Sequence, residues 1–215
     1  MRFGHCWLVV LGGLPLVGQA WDVRMEVPFA DGQDLPGTLI QGAGQLVGGN
    51  LDRGKGMILS LNHRLVRVNP VLRLDWGLEL AQMNADGKFH VGSTAYDSRL
   101  KQTGIGVGLN AQFWIPFSGV AAELGVIQRL QDYRFEAAGN TQSHTLSRTW
   151  LRVGARWRLP IPVAAPYLAA SYQQPLSKSH PVRLNSAQDL ASYLAVQGNG
   201  QEFERMWTFG VGVQF

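Results

Sequence analysis

The chain has 215 residues, enough for one domain or two small ones. Charged residues make up 16% of it, well below the share in a typical soluble domain. This low charge and the seven tryptophans both argue against intrinsic disorder. The net charge of +4 includes no block of Lys or Arg, which argues against nucleic-acid binding.

The first twenty residues have the order of a secretory signal. Arg2 gives a positive start, residues 6–17 are almost purely apolar, and small residues precede a cut expected after Ala20. The alternative is a membrane anchor, but about 12 apolar residues interrupted by glycine and proline are too short to span a bilayer. The chain's one cysteine, Cys6, lies in this segment, so we expect no disulfide, cysteine metal site or cysteine catalysis after cleavage.

Residues 21–36 follow the expected cleavage site, and Trp21 to Phe29 alternate between apolar side chains and Asp, Arg, Glu or Pro. They could form a ninth strand, a periplasmic arm or a plug. Because an odd strand count is unusual in bacterial single-chain barrels, we favour a periplasmic N-terminal arm, with a barrel over residues 37–215.

The rest of the sequence alternates with a period of two, which predicts an all-β protein. Eight strands are expected, and the connections between them are alternately short and long, as in an antiparallel up-and-down transmembrane β-barrel. A soluble, lipocalin-like barrel is the alternative, but the polar face is rich in Gly, Gln, Asn and Thr rather than Lys and Glu. The predicted strands are 38–47, 56–66, 71–82, 101–115, 120–134, 146–159, 167–174 and 203–215.

The C-terminal strand ends in a terminal Phe on an alternating face. This ending resembles the assembly signal of bacterial outer-membrane proteins, and the whole mature chain resembles the small OmpA/OmpX-like and OmpW-like barrels. The resemblance implies an outer-membrane location, contact with lipid and lipopolysaccharide, recognition by the barrel assembly machinery and a monomer. The signal residues would be Trp207, Phe209, Val211, Val213 and Phe215.

Parity along the predicted strands places ten charged side chains inside the barrel. Buried charges must be paired or hydrated, so they form either a fixed ion-pair network, as the resemblance to the OmpA-like family implies, or a gated pore. We expect Glu123 to meet Arg152, Arg156 or Arg158, and Asp75 or Glu79 to meet Arg64. The predicted lumen residues are Arg64, Arg73, Asp75, Glu79, Glu123, Arg129, Arg152, Arg156, Arg158 and Glu204.

Catalytic and metal-binding constellations are not evident in the sequence. Ser60 and His63 lie three apart on a strand and therefore face opposite sides. The Ser-His pairs at 143–144 and 179–180 lie in loops, and the four histidines of the mature chain are scattered over different elements. We expect no enzyme, no cofactor and no metal.

The longest loop, residues 175–202, contains a helical pattern. Ser186 is a suitable N-cap with Asp189 three residues on, and Leu190 and Leu194 share one face beside Tyr193. We expect a short extracellular helix over residues 186–196, acting either as a lid over the barrel mouth or as an exposed recognition element.

The sequence therefore favours a non-enzymatic outer-membrane protein whose extracellular loops contact a partner. The alternative is a narrow, OmpW-like channel for small or hydrophobic solutes, and a lipid A-modifying enzyme is a weaker third reading. Fold alone does not choose among these functions.

Overall fold

A computed structural model describes residues 21–40, 45–68, 71–91, 93–137, 140–161, 165–176 and 202–215. The expected signal peptide and the expected helix at 186–196 lie outside these residues. No helix in the described ranges is long and apolar enough to cross a membrane. The strands are β1 (Trp21–Ala30), β2 (Gln33–Ile40), β3 (Gln45–Leu51), β4 (Gly54–Val68), β5 (Leu72–Val91), β6 (Thr94–Trp114), β7 (Val120–Ala137), β8 (Asn140–Arg158), β9 (Pro166–Pro175) and β10 (Met206–Gln214).

Eight of these strands close into an antiparallel ring. The order around it is β1, β4, β5, β6, β7, β8, β9 and β10, and β10 pairs back onto β1 from Asp22↔Gln214 to Ala30↔Met206. The expected eight-stranded up-and-down barrel is confirmed. The other two strands, β2 and β3, form a hairpin that continues β1 and β4 beyond the ring, and β3 pairs with the far end of β5.

The N-terminal segment differs from the prediction. Trp21–Ala30 was expected to be part of a periplasmic arm, but it is a full barrel strand paired on one side with β10 and on the other with β4. The strand expected at 38–47 does not belong to the ring, because the hairpin of β2 and β3 occupies that region. The strand count stays at eight because β1 takes the place of the predicted first strand.

The ring is apolar outside and polar inside. On β6 the outward side chains from Ile105 to Phe113 are apolar, and Leu109 at the middle of this run is 52% exposed. The inward side chains of the same strand include the buried Asn110 and Gln112. Ten residue steps from Ile105 to Ile115, at 3.3 Å each and a tilt of 40°, make a band roughly 25 Å tall. That height matches the hydrocarbon-facing band of a transmembrane barrel.

The pattern inverts above this band. On β5, Leu80 is the last outward apolar side chain, and Gln82, Asn84 and Asp86 then face outward while Ala81 and Met83 face inward. The hairpin of β5 and β6 continues paired to Val91↔Thr94, so it rises roughly 25 Å above the band at the same pitch and tilt. The far end of the barrel is therefore water-facing outside and apolar inside.

This upper interior is a small hydrophobic core. It joins residues of seven of the eight ring strands, and Leu51 of β3, with Phe203. Phe203 lies just before β10, and its ring centroid is 6.4 Å from that of Tyr133. Its largest fully buried members are Trp150, Tyr133, Phe203, Ile58, Met83, Leu100 and Met206. The opposite end of the barrel holds the short turns, the start of β1 and the end of β10. There Phe215 N–H donates a hydrogen bond to Trp21 C=O over 2.9 Å.

An arginine in the apolar band is expected to be costly. Leu109→Arg should lower the free energy of unfolding by about 2–4 kcal/mol, because it places a charge near the bilayer midplane. Thr103→Arg, on the same strand and face but above the band, should cost only about 0–1 kcal/mol. Urea unfolding of protein refolded in lipid vesicles measures both changes, and equal costs would mean that the band does not lie in hydrocarbon.

Candidate functional site

The middle of the lumen is filled with paired charges. Parity brings inward-facing acids and arginines from β1, β5, β7 and β8 to one level, where the barrel is too narrow for bulk solvent. Each of these side chains is no more than 5% exposed. The members are Asp22, Arg24, Glu26, Glu79, Glu123, Arg129, Arg152 and Arg156.

Glu123 of β7 is one centre of this network. Arg24 Nη1 donates to Glu123 Oε2 over 2.7 Å, and Arg156 of β8 donates to Oε1. Arg156 Nη1 also donates to Asp22 Oδ2 over 2.6 Å, and Tyr167 donates its hydroxyl to Asp22 Oδ1 over 2.5 Å. The Glu123 carboxylate is therefore shared by Arg24 and Arg156, and Arg156 is shared by Glu123 and Asp22. These contacts join β1, β7 and β8, of which only β7 and β8 are neighbours.

Glu79 of β5 is the second centre. Arg129 Nε donates to Glu79 Oε1 over 2.6 Å, and Arg152 Nη2 donates to Oε2 over 2.7 Å. Arg152 links this centre to Glu26 of β1 at 3.3 Å. The guanidinium of Arg129 lies 4.8 Å from the ring centroid of Trp150. Trp150, at the bottom of the upper core, therefore packs directly on the network.

Small residues make room for these side chains. Gly212 of β10 faces inward, and a β-carbon there would collide with the ring of Tyr167. A glycine at this position therefore allows the tyrosine to reach Asp22 across the β1–β10 seam. The inward glycine at this position therefore relieves crowding inside the barrel.

The structure brings together most of the predicted lumen residues. Glu123 meets Arg156, Glu79 meets Arg129 and Arg152, and Asp75 meets Arg73, whose Nε lies 2.5 Å from Asp75 Oδ1. Arg64 was expected to meet Asp75 or Glu79, but those acids take the arginines just named.

Two further predicted positions lie away from the network. Arg158 donates to Gln214 Oε1 over 2.9 Å at the short-turn end. Glu204 was expected inside the lumen but is exposed, because β10 begins only at Met206 and the parity of the strand does not extend to it.

Sequence reasoning missed five members of the interior. Asp22, Arg24 and Glu26 were overlooked because their strand was read as an arm, although their alternation with Val23, Met25 and Val27 was the signal for them. The other two are Arg148 and Glu202, which pair at 2.8 Å beside the upper core. No sequence pattern marks Glu202, because it precedes β10.

The remaining predicted positions fall as follows. Trp207, Phe209 and Val211 are exposed on the outer face of β10, and Val213 and Phe215 are partly buried. The expected helix residues Ser186, Asp189, Leu190, Tyr193 and Leu194 lie outside the described residues.

A Ser-His pair is not assembled on β4. Ser60 is 2% exposed inside the lumen, whereas the ring of His63 packs 4.6 Å from that of Trp21 on the other face of the sheet. Among the described residues no group of three or more His, Cys, Asp or Glu side chains is arranged to hold a metal ion.

No protein-family model matches the sequence, and neither does any curated protein. Among solved structures, neisserial surface protein A aligns over 91% of this chain and 97% of its own, with 16% identity and a TM-score of 0.53. The chain has the fold of a small outer-membrane β-barrel. The assignment of this fold rests on that likeness together with the eight-stranded ring and its apolar band.

Two more distant barrels also align. The attachment invasion locus protein Ail of Yersinia pestis matches with 14% identity over 92% of this chain and 100% of its own, at a TM-score of 0.48. The outer-membrane protease OmpT of Escherichia coli matches with 10% identity over 92% and 94%, at a TM-score of 0.43.

The barrel's orientation follows from its loops. Outer-membrane barrels have short periplasmic turns and longer extracellular loops. We therefore expect the end that holds the short turns, Trp21 and Phe215 to be periplasmic and the long hairpins to be extracellular.

Glu123→Ala should lower the free energy of unfolding by about 3–5 kcal/mol, because it leaves Arg24 and Arg156 buried without their shared carboxylate. Glu136→Ala is the matched control on the same strand. Glu136 also pairs with two cations, Lys101 at 3.1 Å and Arg134 at 3.0 Å, but its partners are exposed to water. The hydrogen bond from Lys101 lowers the pKa of Glu136 below its usual value.

The control should cost no more than about 1 kcal/mol, because solvent screens an exposed pair. Urea titrations of both refolded variants compare the costs. A cost for Glu123→Ala below about 1 kcal/mol would show that the lumen is hydrated rather than tightly paired.

Proposed function

We propose that this protein is a non-enzymatic, non-conducting outer-membrane barrel whose extracellular hairpins form a contact surface. The observation that carries the proposal is the filled lumen. Paired charges occupy its middle, and the hydrophobic core of Trp150, Tyr133 and Phe203 occupies its extracellular end.

The filled lumen argues against the alternative, an OmpW-like channel. The described cavity beside Ser60, Glu79 and Arg152 has a volume of about 20 Å³. That is room for about one water molecule. Opening a path through this level would separate the ion pairs of Glu79 and leave charges buried without partners, which costs several kcal/mol.

Planar-bilayer recording tests this part of the proposal. The refolded wild type should show no stable conductance steps, because paired charges and apolar side chains fill the part of the lumen that the structure describes. Arg156→Ala serves as the comparison. It removes the side chain that binds both Asp22 and Glu123, so it should admit water and allow brief openings. Stable, ion-selective steps from the wild type would favour the channel.

The hairpins above the band present a polar outer face suited to the lipopolysaccharide layer. Lys101 and Arg134 are cross-strand partners on β6 and β7, one row above Thr103, the first polar outward residue of β6. Glu136 pairs with both, so the three side chains carry a net positive charge at the level of the outer-leaflet headgroups. Lipid phosphates are natural partners for such cations.

A lipopolysaccharide titration tests the contact. Lipopolysaccharide added to neutral vesicles should raise the urea midpoint of the wild type, because a ligand of the folded state stabilises it. Replacing both Lys101 and Arg134 with Gln should remove at least half of this gain. Lys88→Gln, at the hairpin tip and paired with Asp97, is the control and should keep the gain. An equal gain in all three proteins would contradict the contact.

The two ends of the chain suggest how the protein reaches the membrane. We propose cleavage after Ala20, periplasmic export and recognition of the outer face of β10, ending in Phe215, by the barrel assembly machinery. The alternation of β10, with Trp207, Phe209 and Val211 turned outward, supports this reading. An ordered helix at 186–196 would add a second extracellular contact element.

A further inference from the structure

The periplasmic end of the lumen contains a second, different group of charges. A cavity of about 390 Å³ opens there, lined by Arg64, Arg67, Arg73 and Arg158 together with Trp114 and Gln214. We call these four arginines the mouth cluster. They lie below the network of Glu123 and Glu79 and are not part of it.

A β-bulge in β4 builds this cluster. In the backbone register of β4 and β5, Arg64 lies opposite Asp75, but the next residues opposite each other are Val66 and Leu74. Leu65 is therefore an extra residue. Without the bulge, Arg67 would face the lipid. With it, Arg67 turns inward and lies directly opposite Arg73. Bulges commonly re-aim side chains near functional sites, whereas like charges directly opposite one another destabilise a sheet.

Among the described residues, one acid, Asp75, pairs with only one of the four arginines of the cluster, Arg73. Asp75 accepts from Arg73 Nε at one oxygen and from Gln112 Nε2 at the other, both at 2.5 Å. Within the described ranges, Arg64, Arg67 and Arg158 form no ion pair. Arg73 is 4% exposed, yet its Nη2 is buried with no hydrogen-bond partner among those residues.

We propose that the mouth cluster is a binding site for a phosphate-bearing anion that enters from the periplasmic side. Guanidinium groups bind phosphate oxygens in bidentate fashion, and a phosphate has enough oxygens to be shared by several arginines. The cavity is large enough for such a group. Its wall toward the lipid is apolar, with Val71, Ile115 and Phe117, so the phosphate can belong to a soluble molecule or to a lipid headgroup.

The site has a consequence that a purely structural cluster would not have. Arg67→Gln removes the repulsion with Arg73, so without phosphate the variant should unfold at the same temperature as the wild type or at a higher one. The same change removes a ligand contact, so the variant should gain less stability than the wild type when phosphate is added.

Inorganic pyrophosphate is the first probe, titrated into protein refolded in neutral detergent at constant ionic strength. Calorimetry should show saturable binding to the wild type, and the thermal midpoint should rise with pyrophosphate concentration. Arg67→Gln and Arg158→Gln should each bind at least tenfold more weakly. Arg205→Gln, an exposed arginine at the extracellular end, is the matched control and should bind like the wild type.

Lipid probes separate the two sources of phosphate. Native mass spectrometry should show one phosphatidylglycerol retained in preference to phosphatidylcholine, and displaced by pyrophosphate, if the source is a lipid. Binding of pyrophosphate without retained phosphatidylglycerol identifies a soluble ligand. Failure of the wild type to bind either probe, or binding by Arg67→Gln as tight as that of the wild type, overturns the proposal.

Discussion

The neutralisation of buried guanidinium groups is the constraint on which the barrel interior depends. Arg24, Arg129, Arg152 and Arg156 are almost fully removed from water, and each reaches a carboxylate on another strand. Glu79 and Glu123 each bind two arginines. If one pair separated, a buried charge on a third strand would therefore lose its partner. The interior therefore acts as one unit that fixes β1, β5, β7 and β8 relative to each other.

The lumen is divided into three levels with different chemistry. The periplasmic level has excess positive charge, the middle is a compensated network, and the extracellular level is apolar. The inversion on β5, where Ala81 and Met83 turn inward as Gln82 and Asn84 turn outward, marks the height at which the surroundings change from lipid to water. Above that height the barrel is built like a soluble β-protein, with a hydrophobic core and a polar surface.

The alternation of the sequence predicted most of the ring, because lipid outside and polar side chains inside produce a strong period of two. It predicted strand ends poorly. The strand expected to end at 82 continues to Val91, since the polarity of its two faces inverts there and the expected contrast fails.

Assigning faces by a period of two also failed at the bulge in β4. There the extra residue Leu65 exchanges the inward and outward faces of the strand, so Arg67 turns into the lumen. The pairing of charges was predictable only between neighbouring strands. Glu123 with Arg156 joins adjacent β7 and β8, whereas Arg24 with Glu123 crosses the lumen and depends on the curvature of the closed ring.

The seam between β1 and β10 has a consequence for how the chain folds. Its paired residues, such as Asp22 and Gln214, are about 190 residues apart in the sequence, the largest separation in the ring. Joining ends so distant costs roughly 5 kcal/mol of chain entropy by the logarithmic loop-closure relation. High contact order slows folding, so the other seven pairings of the ring, which join residues closer in sequence, should form first and the seam last. Until the seam closes, β1 and β10 present open edges, and the interval before closure is when the chain is most exposed to aggregation.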